Sequence, residues 1–221
     1  MAAVARRRSS AAANPLSPSI IPDLQILPQP LAENALPVGQ LASKTSKLDP
    51  STLEDRDYDD IGVRWYKDVI LFDSATGRFV DSLGSAWSIK KPADGTEAGT
   101  IEAPETRVRL LKDADAAFKK VLQSDEAKQW IKDNKDAGFV VGTRQVTNAS
   151  YKRARLVDVG NGDYEVQREV GGEGQGGKRR GSELPVQTNS KTDVVGVLVR
   201  GIVVAGGEPA LGEEVKVEYW D

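Results

Sequence analysis

Apolar and polar positions change their rhythm twice along this chain. Between residues 105 and 137 they recur at helical spacing. Val108, Leu111, Phe118, Val121 and Leu122 fall on one face, Pro104 suits a first helical turn, and Ala127, Trp130, Ile131 and Asn134 make a second stripe. Ser124 interrupts as an N-cap followed by Asp125 and Glu126, and Gly138 is a natural stop, so two helices or one kinked helix are predicted. From Phe139 onward the period becomes two. Phe139–Val146 reads as a strand, as does the aromatic and β-branched run Ile61–Phe72 before it. Asn161-Gly162 between alternating residues is the signature of a type I′ hairpin. It is expected to set Val159 opposite Tyr164, Val157 opposite Val166 and Asp158 opposite Glu165, with one wet face. Val194–Val204 reads as a strand buried on both faces, and Glu214–Trp220 as a closing strand, with residues 73–103 mostly loop. The expected fold class is α+β: a mostly antiparallel twisted sheet with a helical pair, about residues 105–137, packed on it.

Residues 1–60 follow neither period. They hold seven of the 11 prolines, and Asp49–Asp60 carries six acids against one Arg. The expectation is a disordered proline-rich tail and acidic linker over 1–60, before a single α+β domain at 61–221. Asp57, Asp59 and Asp60 then count as linker charge. Arg6, Arg7 and Arg8, with no acid in the first 22 residues, admit a mitochondrial presequence as a minor alternative to a cytoplasmic protein. The longest apolar stretch, Val194–Ala205, contains Arg200 and is far short of the ~20 residues of a spanning helix.

Composition narrows the chemistry. The chain has no Cys and no His, so thiolate nucleophiles, imidazole bases, Ser-His triads and the common zinc sites are excluded. An enzyme here would have to work with carboxylates, Lys and Tyr. The formal net charge of −3 argues against a nucleic-acid partner. Gly172-Glu-Gly-Gln-Gly-Gly177 matches a nucleotide-binding glycine pattern literally. Arg179 stands where the phosphate loop needs Ser or Thr, and Gly181 and Pro185 oppose the helix that both glycine motifs require. No cofactor and no metal site is therefore expected, and Trp65, Trp87 and Trp130 are read as core anchors.

Two basic groups stand out: Lys152, Arg153 and Arg155 on a strand, and Lys178, Arg179 and Arg180 at the end of the Gly-rich stretch. A helical pair with Trp130, then "FVVGTRQVT", an Arg-rich run, "GGEGQGG" and "VVGVLVRGIVV" form a series over residues 105–204. That series resembles the second half of the pore-forming domain of gasdermins, especially fungal gasdermin-like proteins. The resemblance implies a non-catalytic effector of cell death that binds acidic lipids and refolds strands into membrane hairpins, oligomerising if it forms pores. The six basic residues would then contact lipid. The rival expectation is an adaptor or scaffold that offers Ser19–Leu36 as a docking peptide to a protein partner.

Overall fold

The computed structural model describes residues 23–50, 52–84, 88–168, 183, 184, 186, 188 and 190–216. The first elements are β1 (Gln25–Ala32), β2 (Leu41–Ala42), β3 (Lys47–Leu48) and a 3₁₀ turn (Asp55–Asp57). Then come β4 (Tyr58–Asp73), β5 (Arg78–Gly84), β6 (Ser88–Lys90) and β7 (Thr96–Leu111). Two helices follow, α1 (Ala114–Val121) and α2 (Asp125–Asp133). The chain continues through β8 (Gly138–Thr147), β9 (Ser150–Gly160), β10 (Asp163–Arg168), β11 (Thr192–Ala205) and β12 (Glu208–Glu214).

The strands join in one antiparallel sheet with the order β1-β11-β8-β7-β9-β10-β6, and β4 covers the other edge of β7. β7 organises this arrangement. Its whole length pairs with β4, while its opposite edge is divided: Ala98–Glu102 pairs with β9 and Glu105–Leu110 with β8. Pro104 sits at the changeover, where its missing N–H breaks neither ladder. Residues 105–111, expected as helix, are therefore strand. In Glu105-Thr-Arg-Val-Arg, Thr106 and Val108 point inward and Glu105, Arg107 and Arg109 do not, so the same letters satisfy alternation. Pairing on both edges decides between the two periods. Likewise most of 73–103 is strand rather than loop.

The helical pair survives in shorter form. Asp113 caps α1 by accepting from the Ala116 N–H at 2.9 Å, and Ser124 caps α2 by accepting from that of Ala127 at 3.3 Å. α2 ends at Asn134 rather than at Gly138, which belongs to β8. Phe118, Val121, Ala127 and Ile131 pack on Leu41, Val108, Phe139 and Leu198, with the Phe118 and Phe139 ring centroids 5.3 Å apart. A second core gathers Ile70, Phe72, Phe79, Ile101, Val146 and Val195.

The expected disordered tail is overturned for the described part of 23–60. β1 pairs with β11, and Leu24, Leu27, Leu36, Val38, Leu41 and Ala42 are buried. Pro28 and Pro30 are tolerated because β1 lies at the sheet edge and its register shifts between Ile26 and Leu31, where no ladder donor is required. The proposed domain boundary at residue 61 falls inside β4. Within the expected docking peptide, Gln25–Ala32 pairs in the sheet and Leu24, Leu27 and Leu36 are buried. Residues 1–22 lie outside the described residues, so the presequence and the start of the peptide, Ser19–Pro22, do too.

The Asn161-Gly162 hairpin forms, with a different register. Asp163 faces Gly160, but Tyr164 faces Asp158, Glu165 faces Val157 and Val166 faces Leu156. One extra residue next to the turn shifts the pairing, so Ala154 and Val166 are the residues buried on the inner face and Val159 is exposed. β11 is buried on both faces only over Asp193–Val199; Val203 and Val204 are exposed in the hairpin to β12. The expected closing strand begins where β12 ends, and residues 217–220 lie outside the described residues.

Candidate functional site

β9 presents its three basic residues alternately to two sides. Arg153 is anchored: its Nη1 donates to Glu97 Oε2 at 2.7 Å and its guanidinium lies 5.2 Å from the centre of the Phe72 ring. Its charge is thereby locally neutralised. Arg155 is exposed opposite Gln167. Lys152 is half-buried, pairs with Thr100 of β7 and forms an antiparallel bridge with Glu183. Leu184 follows, its N–H donating to the Tyr151 carbonyl at 3.0 Å and its side chain entering the second core. Lys178, Arg179 and Arg180 lie outside the described residues.

The acids of the supposed linker have specific partners. Asp60 accepts from both Arg107 (Nε at 2.9 Å) and Arg109 (Nε and Nη2, each at 2.8 Å). Hydrogen bonds from Arg109 and then Arg107 hold its carboxyl well below the usual range, against the opposing effect of partial burial. Arg109 lies 4.8 Å over the Tyr58 ring. Lys120 of α1 donates to Asp57, whose carboxyl is lowered first by the Glu54 N–H and then by Lys120. Lys112 approaches Asp59 at 3.8 Å. These contacts tie β4 to β7 and α1. Of these residues Tyr58, Asp60, Arg107 and Arg109 line a groove in two lobes of about 400 and 490 Å³, which share Glu33, Arg107 and Gln145.

Two tyrosine–aspartate pairs, each with a buried aspartate, escaped the sequence reading. The Tyr66 hydroxyl donates to Asp68 Oδ2 at 2.8 Å, Ser82 Oγ donates to the same oxygen at 2.6 Å, and Arg144 Nη1 donates to the Tyr66 hydroxyl at 3.3 Å. The Tyr151 hydroxyl donates to Asp193 Oδ2 at 2.8 Å. Burial pushes both phenols up, reinforced at Tyr151 by its hydrogen bond to Asp193. Asp68 and Asp193 are 2% and 4% exposed, and neither Oδ1 has a hydrogen-bond partner among the described residues. The available signal was a lone acid at the head of an apolar run: Asp68 before Val69-Ile-Leu-Phe72, and Asp193 before Val194-Val195. Trp130 packs beside the helical core as expected, Trp65 is 79% exposed and anchors nothing, and Trp87 lies outside the described residues. Trp65 stands at a φ of 61°, across from Pro104.

No family model matches the chain, and no curated protein does. Among solved structures, a bacterial gasdermin from Bradyrhizobium tropiciagri is similar over 88% of this chain and 88% of that one, with a TM-score of 0.37 and 10% sequence identity. The family named from the sequence resemblance recurs in this structural comparison. Among the described residues no helix is long and apolar enough to cross a membrane.

Proposed function

We propose that this chain is a non-catalytic, gasdermin-like binding protein that attaches to anionic membrane surfaces through its two basic groups, with pore formation by an oligomer as the finer form of that activity. The observation that supports it is the bridge between Lys152 and Glu183. Glu183 follows Arg180 by three residues in the sequence, and the bridge sets Glu183 beside β9. In this proposal Lys178, Arg179 and Arg180, which lie outside the described residues, act together with Lys152 and Arg155.

The energetics suit reversible attachment. Each basic side chain near an anionic bilayer contributes on the order of 1 kcal/mol, screened within a Debye length of ~10 Å at 0.1 M salt. Arg153 is left out of the sum because Glu97 already neutralises it. Flotation with phosphatidylserine vesicles tests the proposal. Binding is expected at low salt, with loss at high salt and in the Lys178/Arg179/Arg180→Ala variant. Arg153→Ala is expected to lower stability more than binding. Failure to float with any acidic lipid at low salt would sink the reading. Dye release from the same vesicles tests the pore, since attachment without leakage leaves a surface binder only.

A further inference from the structure

We propose that the outer edge of β4 is a docking surface for a second copy of this chain, paired with it antiparallel about a two-fold axis that passes through Val63, perpendicular to the sheet. β7 covers one edge of β4 along its whole length, whereas β5 covers the other only over residues 69–73. Among the described residues no strand pairs with that outer edge over residues 58–68. Such an edge presents a row of backbone donors and acceptors to any strand that fits it. Trp65, 79% exposed, stands on it, with Ile61 and Val63 half-buried at the alternate positions before it.

The sequence of this edge is complementary to itself. Taken by twos from Asp59 it runs Asp59, Ile61, Val63, Trp65, Lys67. With Val63 opposite its own copy, Ile61 lies opposite the second copy's Trp65 and Asp59 opposite the second copy's Lys67, and each pair recurs on the other side of the axis. Opposite charges then meet at both ends and apolar side chains between them, the cross-strand pairs that stabilise a sheet. Asp59 and Lys67 remain partly open to solvent beside long ion pairs, to Lys112 at 3.8 Å and Glu102 at 3.5 Å. At the intervening positions Gly62 lies opposite the second copy's Arg64, and a Cβ at Gly62 meets nothing within 4 Å, so a guanidinium finds open space there. The charges also select the register. Moving the axis to Gly62 puts Asp59 against Trp65, and moving it to Arg64 sets two arginines face to face. A two-fold axis closes the assembly at two chains, and an interface built on one strand pair belongs to the small, concentration-dependent class.

Sedimentation velocity of the full chain without lipid tests this, over a concentration series up to about 1 mM, which still registers a weak complex. The proposal does not rest on membrane attachment, so the two stand or fall separately. The 23.8 kDa chain is expected to move toward twice that mass as concentration rises. Val63→Lys sets two ammonium groups against each other at the axis and is expected to weaken association about tenfold or more. Asp59→Lys opposes Lys67 on both sides of the axis and is expected to weaken it about tenfold, whereas Asp59→Lys combined with Lys67→Asp restores the opposite charges and the dimer. A single-chain mass throughout, or a dimer as strong in Val63→Lys as in the parent, overturns the proposal. If Val63→Lys does not fold by circular dichroism, a double charge swap that recovers none of what Asp59→Lys lost overturns it instead.

Discussion

Asp60 shows how much one side chain can organise here. Two guanidinium forks from neighbouring same-face positions of β7 meet on its carboxylate, which fixes the register of β4 against β7 by charge as well as by backbone. Its folded-state pKa is depressed, so its stabilisation is fully present above the unfolded value of about 4 and is lost as pH falls toward the folded value. Because the pair is partly solvated, the loss on Asp60→Asn at pH 7 is expected to be only about 1 kcal/mol. Urea titrations at pH 7 and pH 3 should show the difference between variant and parent shrinking in acid. The Tyr66 hydroxyl is held more tightly, between Arg144 and a buried Asp68. Tyr66→Phe leaves Asp68 with Ser82 alone, and a cost of about 1–3 kcal/mol is expected from the same titration.

Among the elements, turns and close crossings carry the specificity. Asn161 and Gly162 both stand at positive φ, 59° and 78°, the geometry of a type I′ turn. Gly162→Ala should therefore cost about 1–2 kcal/mol, although a Cβ there meets open space. Gly99 in β7 is a different case. A Cβ there would lie 2.8 Å from Leu184 Cδ1 and 3.0 Å from the Lys152 carbonyl oxygen. Gly99→Ala is expected to displace Leu184 and to cost about 1–3 kcal/mol by overpacking. It should also weaken vesicle flotation, because Leu184 holds Glu183 beside Lys152. A variant destabilised to that extent with unchanged flotation would separate packing at this crossing from the membrane surface.

For the molecule as a whole, the described residues before position 50 are structural. Deleting residues 1–48 removes Leu24, Leu27, Leu36, Val38 and Leu41 from the cores. Each such side chain contributes about 1.5–3 kcal/mol when buried, and together they rival the ~5–15 kcal/mol that stabilises a typical domain. The truncated chain is expected to lack a cooperative thermal transition in calorimetry. A sharp transition near the parent's would show that β1 only decorates the sheet.

What the letters determine by themselves is local. The absence of Cys and His, the Asn-Gly turn, the Ser124 cap and the β-branched runs of β4, β8 and β11 each rest on the chemistry of a few adjacent residues. The tertiary structure decided whatever depended on neighbours far along the chain. Glu105–Leu111 became strand because β4 and β8 pair with it, and a proline-rich segment became β1 because an edge of β11 needed a partner there. The hairpin register followed burial of Ala154 and Val166, not the symmetry of the turn. Asp60 and Asp193 likewise read as ordinary acids until Arg109 and Tyr151 are brought beside them, because Coulomb attraction and hydrogen bonding act over ångströms of space, whatever the separation in sequence.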